Sequence, residues 1–248
     1  MALSRDFQVN SYDVDSAGFV RPCALMRSMQ QLAGDDSAQY GLSYRQMRED
    51  GHVFVLYAMK LEMNHPLRAD DRYTLKTYSI DIHGVSFRRD FYFYKNDALI
   101  GKACTKWVLL DFIKRKILPP ARLSKALPKY KDMANGVEVS KRLDVSDCTV
   151  CDKRRVYPSM LDENDHLNNC IYADITTDYL PPKRDHYVDT VEILFTHEST
   201  VNDELEISSA LSEESNKVKI FAYNLTKDRP CFSAWATRRP VPTEENNV

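Results

Sequence analysis

Asp15-Ser-Ala-Gly-Phe-Val-Arg-Pro-Cys23 and Asp162-Glu-Asn-Asp-His-Leu-Asn-Asn-Cys170 can be laid on one another without a gap. Each leads into a helical pattern. After the first, Leu25, Met29, Leu32 and Ala33 fall on one helix face. After the second, Ile171, Ile175 and Tyr179 recur at spacing four until Pro181-Pro182 stops the run. Strand-like segments follow in both places: Val53–Glu62, Tyr73–Ile82, Phe87–Tyr94 and Leu99–Ile113, then Val188–Glu198, Glu204–Leu211, Val218–Leu225 and Phe232–Arg239. Leu61–Tyr73 can likewise be laid on Ile193–Leu205, and Trp107 falls near Trp235. The chain therefore repeats one unit, a helix followed by long antiparallel strands. A curved sheet wrapped round each helix would bury both. The expected class is α+β.

The rest of the composition narrows the function. The chain has 248 residues, 43% hydrophobic and 28% charged, enough apolar material for a packed core. Only seven glycines occur, and neither phosphate-cradling glycine motif is present. With 34 basic against 36 acidic residues, a nucleic-acid binder is not expected. The strongest apolar stretches, near Val53–Met59 and Trp107–Ile113, are too short for a membrane-spanning helix. The opening Met-Ala-Leu-Ser-Arg-Asp-Phe lacks the apolar run of a secretory signal, so a cytoplasmic setting is expected. The six cysteines then read as reduced thiols. Cys148 and Cys151 form a lone C-x-x-C pair with no second pair or close histidine pair, and no metal is expected there.

Between the copies the composition changes. Phe112 to Lys131 holds seven basic residues (Lys114, Arg115, Lys116, Arg122, Lys125, Lys129, Lys131), three prolines and no acid. This reads as a surface connector, either a solvated linker or a docking face for an acidic partner that Lys153, Arg154 and Arg155 would extend.

The chemistry concentrates in Asp162–Asn169. Asp162, Asn164 and His166 stand at i, i+2 and i+4, which in an extended segment points all three side chains one way. Asn168 or Asn169 suits a helix N-cap. A carboxylate, an amide and an imidazole would then sit beside free helix N–H groups, which favour an anion developing on a carbonyl oxygen. An imidazole moves protons near neutral pH, and a carboxylate can orient it. The first copy has Phe19 in place of His166 and Pro66 in place of Glu198. A pattern kept only to cap a helix would not need that asymmetry, so one reactive site per chain is expected.

At this level the sequence resembles the acyl-acyl carrier protein thioesterases, the plant plastid type and its bacterial relatives. Asp162-x-Asn164-x-His166-x-Asn168-Asn169 with Tyr172 resembles the family signature. Phe7-x-x-x-Ser11-Tyr12 resembles its opening strand, Phe87-Arg88-Arg89-Asp90-Phe91 its Arg-Arg-Asp-aromatic segment, and Ala103-x-x-x-Trp107-Val108 with Arg115-Lys116 the strand before its linker. The resemblance implies a tandem hotdog fold: a first unit over residues 1–118 serving as scaffold and acyl pocket, a basic linker over 119–150, and a second unit over 151–248 carrying the catalytic residues. It implies hydrolysis of the thioester joining a fatty acyl chain to carrier-protein phosphopantetheine. Asp162, Asn164, His166 and Glu198 carry over as the catalytic set, with no metal or other cofactor. In the plant pattern the glutamate is followed by cysteine; here Ser199 follows Glu198, so attack by water is favoured over a covalent nucleophile.

In that reading His166 and Glu198 deprotonate a water, and Asp162 holds the Asn-His segment. Asn164 either orients the water or stabilises the oxyanion. Lys114, Arg115, Lys116, Lys153 and Arg154 are candidate contacts for the carrier protein. The apolar face of the first helix (Leu25, Met29, Leu32) and Val53–Met59 are candidate pocket walls. A homodimer is compatible. Hydrolysis of coenzyme A thioesters, dehydration of 3-hydroxyacyl thioesters on the same fold, and carrier-protein binding without turnover are the alternatives.

Overall fold

The computed structural model describes residues 3–123 and 127–242. Lys125 of the basic connector lies outside the described residues. The first unit runs β1 (Leu3–Gln8), α1 (Pro22–Ala38), α2 (Tyr44–Glu49), β2 (His52–Met63), β3 (Arg72–His83), β4 (Ser86–Lys95) and β5 (Ala98–Asp111). The second runs β6 (Thr149–Arg155), α3 (Asn169–Asp178), β7 (His186–Phe195), β8 (Glu204–Ser212), β9 (Lys217–Asn224) and β10 (Arg229–Pro240). All ten strands form one antiparallel sheet in the order β1-β3-β4-β5-β2-β7-β10-β9-β8-β6. The order reads the same from both ends, with β2 and β7 meeting in the middle at Lys60↔Glu192. This is the tandem hotdog arrangement. Among the elements the sequence pattern did not predict are the short α2, strand β6, and the Ser11–Asp13 single turn of 3-10 helix in place of continued extension.

The helices form for local reasons and stay for packing. Pro22 sits at the first turn of α1, where its missing N–H costs nothing. Leu25, Met29 and Leu32 face the core and are buried. Asn168 caps α3 by accepting from the Cys170 N–H at 2.9 Å. The strands alternate; in β9 Val218, Ile220, Ala222 and Asn224 point inward.

The repeat holds down to single hydrogen bonds. Asp15 Oδ1 accepts from the N–H groups of Ala17 and Phe19 (2.9 and 3.0 Å), and Asp162 Oδ1 from those of Asn164 and His166 (2.8 and 3.2 Å). Gly18 and Asp165 both take positive φ, +84° and +60°, to close these turns. The Val20 N–H donates to the Leu67 carbonyl and the Leu167 N–H to the Ser199 carbonyl, each at 2.8 Å. One detail of the sequence alignment shifts. Leu56 pairs with Trp107 and Val188 with Arg238, each beside a break in register, so Arg238 and not Trp235 is the counterpart of Trp107.

The connector is not merely a solvated surface run. Leu127, Asn135, Val137, Val139 and Leu143 are buried, and the segment straps both halves of the sheet. Asn135 is the main anchor. Its N–H donates to buried Asp90 (2.9 Å), and its Nδ2 donates to the carbonyls of Phe91 (3.2 Å) and Ala103 (2.8 Å). Arg88 binds Asp90 and the Val137 carbonyl beside it. Further along, the Ser140 N–H donates to Glu192 on β7.

Asn135→Ala leaves two buried carbonyls without their donor, and we expect a loss of about 1–3 kcal/mol. Urea unfolding should show a lower midpoint at unchanged slope. An unmoved midpoint would mean that the strap does not brace the sheet.

Candidate active site

The segment from Asp162 to His166 is a tight turn, not the extended run expected from the i, i+2, i+4 spacing. The Asp162 N–H donates to the His166 carbonyl at 2.8 Å, and the Asp162 carboxylate closes the turn on two backbone N–H groups. Local side-chain-to-backbone bonding and a left-handed Asp165 win over extension here. Asp162 thus holds the backbone of the Asn-His segment and does not orient the imidazole ring. The carboxylate that faces the ring is Glu198, whose Oε1 lies 3.9 Å from His166 Nε2. Glu198 sits in the turn beyond the end of β7, not on the strand as the sequence suggested.

Asp162, Asn164, His166 and Glu198 all line one cleft of about 1170 Å³. The α3 N-terminus, through Asn168 and Asn169, lies at the same wall. From there the cleft runs into the first unit past Leu42, Met47, Phe54, Leu56, Phe87 and Leu127. Val53 to Tyr57 of β2 belong to its wall, as expected. Leu25 and Leu32 of α1 are core instead. Met29 and Met59 border a separate void of about 10 Å³.

Two residues of the first unit and its hairpin touch the candidate groups: Tyr44 meets Asn164 and Arg115 meets Glu198. The Tyr44 hydroxyl on α2 donates to Asn164 Oδ1. The α2 signal was available in Ser43-Tyr-Arg-Gln46, a capping pattern, and Ser43 Oγ does accept from the Gln46 N–H at 3.2 Å. Arg115, expected only as a docking residue, forms an ion pair with Glu198. It stands in a tight hairpin closed by the Asp111 N–H on the Lys116 carbonyl, and it takes φ +54°. Both side chains are more than a third exposed (44% and 36%), so the pair adds little stability, about 0–1 kcal/mol, and can open.

Ser199 is fully buried. Its hydroxyl lies 3.1 Å from Cys231 Sγ and accepts from Asn224 Nδ2 at 3.3 Å. Burial pushes the Cys231 thiol up, and the neighbouring Tyr172 phenol well up, mainly by desolvation. Neither Ser199 nor Cys231 has the exposure or the adjacent base of an activated nucleophile.

The basic residues divide. Lys114 and Lys116 flank Arg115 on the exposed hairpin beside Glu198. Lys153 and Arg154 sit on edge strand β6, six strand positions from β5, roughly 25–30 Å along the sheet. Arg154 pairs with Asp152 and Asp178, and Lys153 with Glu204 at 3.6 Å. Among the described residues no group of three or more His, Cys, Asp or Glu is placed to hold a metal ion.

Comparison with known proteins follows the same division of the chain. The acyl-ACP thioesterase N-terminal domain matches residues 2–121, and the acyl-ACP thioesterase C-terminal domain matches residues 150–235. Among solved structures, an acyl-ACP thioesterase from Bacteroides thetaiotaomicron aligns with a TM-score of 0.85 at 19% identity, covering 96% of this chain and 98% of that one. The 12:0-ACP thioesterase from Umbellularia californica aligns with a TM-score of 0.80 at 16% identity, covering 96% and 97%. At such identities these two establish the fold. No curated protein matches by sequence.

If His166 moves protons in the cleft, His166→Ala should lower thioester turnover by about 10²- to 10⁴-fold. Because the ring is partly exposed, the melting temperature should stay close to that of the parent protein. Steady-state kinetics beside thermal denaturation separates the two effects; near-parental turnover would remove His166 from the chemistry.

Proposed function

The chain belongs to the acyl-ACP thioesterase family, and from that premise we propose how its own residues carry the reaction and meet the carrier protein. It is a thioester hydrolase that releases fatty acid from acyl-ACP in fatty acid synthesis. In our reading the catalytic set is Asp162, Asn164, His166 and Glu198.

The observation that carries the mechanism is the 3.9 Å between His166 Nε2 and Glu198 Oε1 across a cleft that Asn164 also lines. A water bonded to both at about 2.8 Å would bridge them at an angle of roughly 90°. His166 and Glu198 deprotonate that water as its oxygen attacks the thioester carbonyl carbon. The carbonyl π electrons move to oxygen, giving a tetrahedral oxyanion. Collapse of the oxyanion breaks the C–S bond, and the proton passes to the departing pantetheine sulfur. Fatty acid and the carrier-protein thiol result. A thiolate leaves readily, so no step needs a metal. Asp162 keeps Asn164 and His166 in register through its backbone hydrogen bonds.

The cleft volume exceeds the usual range for a small-ligand pocket, about 300–1,000 Å³, which leaves room for an acyl chain and part of the pantetheine arm. Its apolar run in the first unit supports the assignment of the acyl chain to that side. The site draws on both units of one chain, so a homodimer would repeat it without completing it. The cytoplasmic setting read from the sequence is part of this proposal. Among the described residues no helix is long and apolar enough to cross a membrane.

For the carrier protein, the hairpin from Asp111 to Lys116 is the supported docking element. Lys114 and Lys116 are exposed beside Glu198, and Ile113 next to them is 82% exposed, an apolar contact ringed by positive charge. Lys153 and Arg154, paired with acids at the far edge, contribute little in this proposal.

Thiol release from acyl-ACP and acyl-CoA of graded chain length, without added metal, tests the activity. With Lys114→Glu/Lys116→Glu, KM for acyl-ACP should rise by about tenfold or more at low salt. Turnover of an acyl-pantetheine lacking the protein should stay within about twofold, as should acyl-ACP turnover by Lys153→Glu. Equal losses on both substrates would place the lysines in the chemistry instead of in docking.

A further inference from the structure

We propose that Tyr44 is a positioning residue whose hydroxyl holds the Asn164 amide with Nδ2 toward the cleft, so that Asn164 acts as the oxyanion donor. This rests on the hydrolytic reading above and settles which of two roles Asn164 takes within it.

The argument starts with where α2 is held. Met47 packs with Leu42, Phe87, Leu109 and Leu127 in a small apolar cluster of the first unit. Ser43 caps the helix start. Tyr44 and Arg48 stand one turn apart at i, i+4, and Tyr44 reaches the second unit at Asn164. The Arg48 guanidinium lies 4.4 Å over the Phe112 ring of the basic hairpin, which fixes its position.

The direction of the hydrogen bonds then follows from chemistry. A guanidinium only donates. Arg48 Nη1 lies 2.9 Å from the Tyr44 hydroxyl, so that oxygen accepts from Arg48 and its single proton points elsewhere. Its partner is Asn164 Oδ1, contributed from 120 residues away in the other unit. Turning the amide over would set N–H against a hydroxyl that already accepts from Arg48 and would forfeit the bond its proton makes to Oδ1. The chain Arg48→Tyr44→Asn164 therefore selects one amide orientation. With Oδ1 turned to the Tyr44 hydroxyl, Nδ2 is the end that faces away from it, and Asn164 Nδ2 has no protein partner among the described residues. Asn164 lines the cleft, so this free end is a donor. A donor suits a developing oxyanion, whereas orienting an attacking water by accepting its proton would need Oδ1. In the first copy the position of Asn164 is Ala17, so the duplicated turn makes no such demand there.

The test uses the full-length protein as parent, Tyr44→Phe, Asn164→Ala and the double variant. With acyl-ACP as substrate, Tyr44→Phe should lower kcat about tenfold, the effect of one lost neutral hydrogen bond, with KM within about twofold. In the Asn164→Ala background the same change should cost nothing more, because Tyr44 acts through the amide. The Asn164 side-chain NH₂ resonances, assigned by their loss in Asn164→Ala, should move toward free-amide positions in Tyr44→Phe. A fully additive loss in the double variant, or side-chain amide resonances unmoved by Tyr44→Phe, would overturn the proposal. If the parent protein hydrolyses no acyl thioester, the functional reading fails by itself, and the resonances still decide whether Tyr44 holds the amide.

Discussion

The antiparallel pairing of β2 with β7 makes one sheet of two duplicated units, and the rest of the architecture is arranged around that seam. It places α1 and α3 against each other on one side of the sheet. It brings the duplicated turns close enough for a helix of one unit to reach a turn of the other. The connector reinforces the seam from Asp90 on β4 to Glu192 on β7. Pairing of this kind is long-range in sequence and so entropically costly to form. Its reward is a cleft walled by both units. The candidate reactive groups come from the second unit, while Tyr44, Arg115 and most of the apolar lining come from the first unit and its following hairpin.

Duplication created two equal turns, and the structure shows what became of the other one. Where His166 faces the cleft, Phe19 is buried and packs on Tyr187, with the Arg68 guanidinium 4.2 Å from its ring. Pro66 stands where the second unit has Glu198. The first turn keeps every backbone hydrogen bond of the second and none of its polar reach. The turn geometry is thus a property of Asp15 and Asp162 and of the two left-handed residues. In the proposed mechanism the chemistry belongs to Asn164 and His166 on that turn, with Glu198 facing them from the turn after β7. A scaffold that folds independently of its reactive groups can lose them on one side without losing the fold.

Much of this was legible in the sequence because it is local or periodic. The stripe of α1, the proline stop after α3, the long strands and the gap-free match of Asp15–Cys23 to Asp162–Cys170 all depend on residues near one another. The misreadings share a cause. Asp162–His166 has the spacing of a strand, but its side-chain carboxylate competes for the backbone and closes a turn. The connector is basic and proline-rich, which resembles a solvated linker, yet its buried positions Asn135, Val137 and Val139 alternate with exposed ones and dock on a sheet the local sequence does not contain. Arg115 looked like one charge among seven until the fold set it against an acid 83 residues away. Tyr44 carries no motif of its own. Its role exists only across the seam.

The position after Glu198 shows how a scaffold constraint can be mistaken for chemistry. A serine or cysteine beside a reactive acid invites a covalent mechanism. Here the Ser199 hydroxyl is enclosed and bonded to Asn224, whose Nδ2 also donates to Asp203 at 2.8 Å. Asp203 accepts in turn from the Thr200 N–H at 2.8 Å, and these bonds hold its carboxyl below the usual range despite the opposing cost of burial. Together they tie down the turn that presents Glu198. What the site requires at 199 is a small group that can share a hydrogen bond in a dry pocket. A buried thiol meets that requirement as well as a hydroxyl does, since burial raises its pKa and keeps it neutral. A switch between cysteine and serine at this place therefore preserves the support of the turn that presents Glu198.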